Sequence, residues 1–183
     1  MSAVCNPGSS PQTGVVNTAT APCRYGAVLV AASERGICDI QLGVDRETLV
    51  DNYRCTATND VNWVVGDEQP EWLATVLKLV QNPKCALDYP LDVRGTTFQK
   101  LVWEALCNVS LGQTTTYSAL AEAIGKPKAY RAVGAACGAN RLALVIPCHR
   151  ALRKGQGPLD YRWGADIKQQ ILMAEASWAL DPP

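Results

Sequence analysis

Apolar positions recur along the chain in two rhythms, and the change between them organises it. In "YGAVLVAASERGICDIQLG", residues 25–43, two runs rich in Val, Ile and Leu flank the turn-forming stretch from Ser33 to Gly36. That arrangement predicts a β-hairpin. Cys38, Ile40 and Leu42 alternate with polar neighbours, which predicts one buried face. The period then becomes helical: Leu49, Val50 and Tyr53 in "DRETLVDNYR", then Trp72, Val76, Leu79 and Val80 in "PEWLATVLKLV". Pro70 suits a first helical turn, and Asn82-Pro83 ends that helix. "CALDYPLDVRG" reads as a linker.

The second half is more sharply punctuated. Thr96 or Thr97 can cap a helix carrying Phe98, Leu101, Val102, Ala105 and Leu106, and "TTTYSALAEAIG" predicts a capped helix that ends at Gly125. Lys126-Pro127 forces a break, after which "KAYRAVGAACGAN" predicts a short helix. Two short helices around a Gly-containing turn form a helix-turn-helix pattern, whose second helix carries Lys128, Tyr130 and Arg131. Its small residues, Ala132, Gly134 and Ala135 among them, permit close approach to another backbone. "RLALVIP", residues 141–147, reads as a short buried strand, so that Cys148 is presented where the chain leaves the core.

Strands first and helices after predict an α/β part over residues 23–91, linker included, and a mainly helical part over 92–183. Residues 1–22, rich in Ser, Thr, Pro, Gly and Asn, read as a flexible arm. A chain of 183 residues that is 48% apolar can bury one generous core or two modest ones. No run reaches the roughly 18 to 20 apolar residues of a membrane span, and the first residues lack a signal-peptide pattern. An intracellular protein without membrane contact is expected.

Charge changes the picture more than composition does. Residues 1–122 carry 8 Lys/Arg against 13 Asp/Glu, a balance of −5, whereas residues 123–183 carry 9 against 4, a balance of +5. Between Ala123 and Leu159 there are seven basic residues and no acidic one. Such a stretch attracts a polyanion or forms a plain solvated face. The eight cysteines, with no secretion signal, read as reduced thiols. With no C-x-x-C and a single histidine, a zinc site would need scattered cysteines such as Cys5 and Cys23, and no metal is expected.

The chemistry concentrates at "IPCHR". His149, Arg150, Arg153 and Lys154 beside Cys148 predict a thiol biased toward thiolate. Adjacent side chains point apart, so proton transfer from Cys148 to His149 needs an unusual turn or a bridging water. A histidine acting as base also needs an orienting group. Glu175 is a candidate: Ile167, Ile171 and Glu175 stand four residues apart, which sets the carboxylate on the apolar stripe of a helix. Such a carboxylate demands a partner, with an Arg, a cap or solvent at the helix end as the alternatives.

These residues match a known pattern. "IPCHR", "TTTYSALAEAIGKPKAYRAVGAACGAN", "YRWG" and "ILMAEA" resemble the O6-alkylguanine-DNA alkyltransferases, and similarity extends over residues 25–178. The resemblance implies an RNase H-like N-terminal domain followed by a winged helix-turn-helix-type DNA-binding domain, and a monomer that uses no cofactor. It implies transfer of a methyl group from O6-methylguanine in double-stranded DNA, with O4-methylthymine as a second candidate. Cys148 matches the acceptor, His149 the histidine that activates it through a water, Glu175 the carboxylate that holds it, and Asn140 the brace of the turn. Arg131 matches the finger that replaces the flipped nucleotide, and Tyr117 the tyrosine that helps rotate it out; the guanine anion left by transfer needs a proton from a nearby donor such as Tyr117. Lys128, Ala132, Gly134 and Ala135 fall on the implied DNA face, and Leu159, Tyr161 and Lys168 at the substrate pocket. Leu159 departs from the small residues usual there, so a preference for methyl over benzyl is expected.

Three other classes compete. A lesion-binding relative without transfer activity lacks the acceptor cysteine, a helix-turn-helix regulator leaves Glu175 and Cys148-His149 unexplained, and a cysteine hydrolase needs a direct Cys148–His149 contact. The alkyl-transfer class implies an intracellular location, cytoplasmic in a bacterium and nuclear in a eukaryote.

Overall fold

In the computed structural model, residues 15–56, 61–63, 69–155, 157 and 160–180 are described. The hairpin forms as its pattern predicts: β2 (Gly26–Ser33) pairs antiparallel with β3 (Gly36–Gly43). Before it runs β1 (Val16–Cys23), antiparallel to β2, so residues 16–22 are a strand where a flexible arm was expected. Small and polar residues give that segment no signal of its own; it is held by its ladder to β2. After α1 (Arg46–Thr56), the short β4 (Val61–Trp63) joins β1 in parallel and completes a sheet of order β3-β2-β1-β4.

The sheet is covered on both faces, which is why β2 reads as a continuous apolar run. Ala27, Leu29 and Ala31 pack with Leu49 and Tyr53 of α1, while Val28, Val30 and Ala32 join the main core. A register shift between Ala31 and Ala32 inserts one extra residue in β3 and moves Cys38 to the α1 side. Cys38 therefore does not share a face with Ile40 and Leu42, as strict alternation predicted. Gly36, at φ +131, turns this hairpin where a Cβ would stand 2.2 Å from the Pro90 carbonyl oxygen.

Among the described residues, four α-helices follow α1 and β4 before the last one. They are α2 (Glu71–Gln81), α3 (Thr97–Cys107), α4 (Tyr117–Ala123) and α5 (Tyr130–Gly138), with β5 (Thr115–Thr116) before α4 and a 3-10 turn over Pro127–Ala129. Thr96 caps α3 in a capping box with Gln99, and Thr116 caps α4. Trp103 of α3 donates its indole N–H to the Ala136 carbonyl at 2.8 Å, locking α5 against α3. β6 (Ala151–Leu152) pairs in parallel with β5, and α6 (Ala165–Leu180) closes the fold.

The apolar run 141–147 is not a strand. Leu142 alone makes a bridge, to Ile40, and the chain then turns through Leu144 at φ 69. The Asn140 side chain organises the bend: its Oδ1 accepts from Leu142 N at 2.8 Å and its Nδ2 donates to the Ile146 carbonyl at 2.9 Å. The run is apolar because the turn is buried, and burial alone does not distinguish a strand from a buried bend.

This turn is fastened to the sheet. Arg141 donates from Nε to Asp39 Oδ2 at 2.8 Å, and Ile40 N donates to the Arg141 carbonyl at 2.8 Å. Burial pushes the Asp39 carboxyl up, while Arg141 and Gln41 pull it down. Arg141→Met leaves that carboxylate without its charge partner. We expect a loss of roughly 1–3 kcal/mol in urea unfolding, below the fully buried case because the guanidinium is partly in solvent.

Candidate active site

Cys148 opens a 3-10 turn, Cys148–Arg150, directly after the buried bend. It is 4% exposed, and Asn140 Nδ2 donates to its Sγ at 3.1 Å. Burial pushes the thiol up to about 11, against the opposing pull of the Asn140 hydrogen bond and the cations of Lys168 and Arg162. The resting group is therefore a protonated thiol, which corrects the expectation of a thiolate. The basic residues adjacent in sequence are engaged elsewhere: Arg150 with Glu175, and Arg153 with Asp160 at 2.6 Å.

His149 is fully buried. Its Nε2 lies 2.8 Å from Glu175 Oε1, and its Nδ1 has no hydrogen-bond partner among the described residues. Burial lowers its pKa, with Arg150 and Lys168 acting in the same direction and Glu175 opposing them. The imidazole is neutral at pH 7. Because a carboxylate only accepts, the proton sits on Nε2 and Nδ1 is left as a base.

Glu175 stands on the inward face of α6 and is 3% exposed. Burial pushes its carboxyl upward, but hydrogen bonds from His149 and Arg150 outweigh that and hold it at about 2. Arg150 donates from Nε to Oε2 at 2.9 Å and from Nη2 to Oε1 at 2.8 Å, and its Nη1 donates to the Val109 carbonyl. This two-pronged grip is the strong form of an arginine–carboxylate pair. Arg150, read from the sequence only as a basic neighbour of Cys148, is the partner that makes a buried Glu175 tolerable. No local pattern links two residues 25 positions apart.

Cys148 also borders a cavity of about 350 Å³. Tyr117 of α4 lines it, as do Gly134, Cys137 and Gly138 of α5 and, from the segment before α6, Asp160, Tyr161 and Arg162. Burial pushes the Tyr117 phenol up to about 12. Tyr161 sets its ring edge-on to His149, with centroids 6.4 Å apart. Lys168 is buried behind this wall, donating to the Ala151 carbonyl at 2.8 Å and the Asp160 carbonyl at 3.0 Å. It ties both ends of the connecting segment.

The structure thus pairs Asn140 with Cys148 and Glu175 with His149 and Arg150 on one 3-10 turn, with Tyr117, Gly134 and Tyr161 on the cavity. Lys128, Arg131, Ala132 and Ala135 are exposed on α5 and the turn before it, outside the cavity lining. Leu159 and Cys5 lie outside the described residues. Cys137, Gly138 and Arg162 were not singled out from the sequence. Gly134, Cys137 and Gly138 are three and four residues apart on one helix, so the spacing that marks a shared face could have found them. Among the described residues no cluster of His, Cys, Asp or Glu is suited to hold a metal, and no helix is long and apolar enough to cross a membrane.

A buried thiol bordering a cavity, beside a histidine–carboxylate–arginine network and a helix start that exposes Lys128 and Arg131, defines an α/β protein with a cysteine-centred site. Residues 97–177 match the family model described as 6-O-methylguanine DNA methyltransferase, DNA binding domain. The chain is 35% identical over 149 residues to a methylated-DNA–protein-cysteine methyltransferase of Methanosarcina mazei, covering 81% of this chain and 89% of the relative. It is 46% identical over 162 residues to the bifunctional transcriptional activator/DNA repair enzyme Ada of Escherichia coli, covering 88% of this chain and 46% of that relative's length. The crystal structure of Mycobacterium tuberculosis OGT in complex with DNA superposes with a TM-score of 0.70 at 27% identity, covering 88% of this chain and 94% of that one. The chain belongs to the methylated-DNA–protein-cysteine methyltransferase family.

Proposed function

We propose that the protein repairs alkylated DNA by direct reversal, moving the methyl group of O6-methylguanine in duplex DNA onto Cys148 in a single turnover. The observation that carries this reading is a thiol that is buried from bulk water and yet borders a cavity lined by α5, the helix that exposes Arg131. A methyl carbon on O6 of a stacked guanine is closed to in-line attack, so the base must be extruded into the cavity. Arg131, exposed at the start of α5, fills the gap in the duplex, and small neighbours at Ala132, Gly134 and Ala135 let the helix approach.

A protonated thiol has to be activated at the moment of use. Nδ1 of the neutral His149 takes the Cys148 proton through a bridging water, while Glu175, kept ionised by Arg150, holds the Nε2–H tautomer and stabilises the imidazolium that forms. Asn140 braces the turn and donates to the sulfur. The sulfur–carbon bond forms as the carbon–O6 bond breaks, and the electron pair departs with guanine. Tyr117, protonated at neutral pH because its pKa is about 12, returns a proton to the leaving base. Lys168 and Tyr161 shape the pocket. The thioether is not hydrolysed, so no cofactor is required and each molecule acts once.

Intact mass before and after incubation with duplex DNA carrying O6-methylguanine tests the reading. One methyl gained, mapped to Cys148, is expected; an unchanged mass or repeated turnover overturns it. Arg131→Ala is expected to slow transfer from duplex by about 10- to 100-fold, the equivalent of a few kcal/mol of unstacking, and to spare the free base. Equal losses on both substrates would remove the finger role.

The finer fold belongs to the same reading. The β1-β2-β3 antiparallel sheet with parallel β4 supports an RNase H-like part up to residue 91. The α4–turn–α5 arrangement with the β5–β6 ribbon supports a winged helix-turn-helix part beyond it. A monomer is implied, located in the bacterial cytoplasm or the eukaryotic nucleus, where the DNA is.

A further inference from the structure

Two thiols, not one, border the cavity. Cys137 lies in the last turn of α5, on the face that also presents Gly134 and Gly138, and it lines the same space as Cys148. Neither sulfur is in a disulfide. The two are close enough to act on each other electrostatically: after burial, the charge of Cys148 is the leading influence on Cys137, which stands at about 12. The Lys168 cation opposes the rise at both sulfurs. Cys137 is the weaker thiol of the pair and has no part in the single-methyl reaction.

We infer that Cys137 is a second acceptor, which closes on the second carbon of a group delivered to Cys148 when that carbon carries a leaving group, as in a 2-haloethyl adduct. The inference rests on the reading that Cys148 takes the alkyl group. In the first step the carbon–O6 bond breaks and the Cys148 sulfur–carbon bond forms. The Cys148 sulfur then displaces halide from the second carbon, giving a strained three-membered sulfonium that a neutral thiol can open. The Cys137 sulfur–carbon bond forms, the sulfonium carbon–sulfur bond at that carbon breaks, and the Cys137 proton passes to solvent. The product is an ethylene bridge between the two sulfurs, with one halide and one proton released. A shared cavity gives this closure a high effective concentration over water or a DNA nucleophile. The bridge consumes an electrophile that would otherwise couple protein to DNA.

The test incubates the full chain with duplex DNA carrying O6-(2-chloroethyl)guanine, followed by intact mass and tryptic mapping. A bridged protein gains two carbons and two hydrogens, with neither chlorine nor oxygen, and peptides 132–141 and 142–150 appear joined as the main alkylated product. Chloroethyl or hydroxyethyl confined to Cys148, with Cys137 open to iodoacetamide after unfolding, overturns the inference. Coupling of Cys148 to DNA as the main product overturns it as well. A parallel incubation with O6-methylguanine separates the two levels: no methyl on Cys148 removes the underlying reading, whereas methylation without bridging removes only the second acceptor. Cys137→Ser, its fold checked by thermal melting, is expected to carry an unbridged group on Cys148; the same joined peptides in that variant also overturn the assignment.

Discussion

Cys148→Ala is expected to bind duplex DNA carrying O6-methylguanine and transfer nothing, its intact mass unchanged by the incubation in which the parent is expected to gain one methyl. The loss is complete rather than partial because the acceptor atom itself is removed, and the flanking network has no other sulfur on the Asn140 donor. The fold tolerates the change. Asn140 keeps its bonds to Leu142 N and the Ile146 carbonyl, so stability shifts by about 1 kcal/mol, the size of one neutral hydrogen bond. DNA affinity, read by gel shift across a salt series, stays within a few-fold of the parent, since phosphate contacts carry most of it. Methyl label on any other cysteine of the variant would falsify the assignment of the acceptor.

Glu175→Gln produces the second large effect, on rate and stability together. A glutamine amide can donate to His149 Nε2, which moves the ring proton to Nδ1 and removes the base that the proposed relay uses. We expect transfer to slow by about 10²- to 10⁴-fold, the usual reach of general-base catalysis, with single-turnover kinetics as the readout. The same change leaves Arg150 half-buried without its anion, at a cost of roughly 3 kcal/mol. The pH dependence carries a distinct signature. The folded carboxyl is held at about 2, below its ordinary 4.5, so the unfolded chain binds the proton more readily. Its contribution is complete above pH 4.5 and is lost as pH falls toward 2. His149, whose pKa is also lowered on folding, acts in the same direction below its ordinary 6.5. Urea midpoints between pH 2 and 6 should therefore fall more steeply for the parent than for Glu175→Gln. Parallel acid limbs, or a parent-like rate, would remove Glu175 from the relay.

Much of the fold is legible because its signals are local. The Ser33–Gly36 turn between two β-branched runs, the Thr96 and Thr116 caps, and the Pro127 break each act over a few residues, and each stands where the pattern puts it. Segments that depend on distant partners are not legible. Residues 16–22 become a strand through β2 and β4, and 141–147 become a buried bend through Asn140 and the sheet edge at Ile40. Asp39 reads as the polar side of an amphipathic strand and is in fact buried against Arg141, 102 positions away.

The site divides along the same line. By itself the sequence determined the chemical inventory: a thiol, the single imidazole, a carboxylate on an apolar helical stripe, and a basic stretch free of acidic residues. Those are properties of residue types and short spacings, and folding does not alter them. Only the tertiary structure decided the protonation of Cys148, the pairing of Glu175 with Arg150, and the presence of Cys137 beside the acceptor. Neighbouring charges suggested a thiolate, but desolvation depends on what surrounds an atom in space. Burial outweighed the cations that remained near the sulfur, and the arginine next to His149 turned to the carboxylate that needed it.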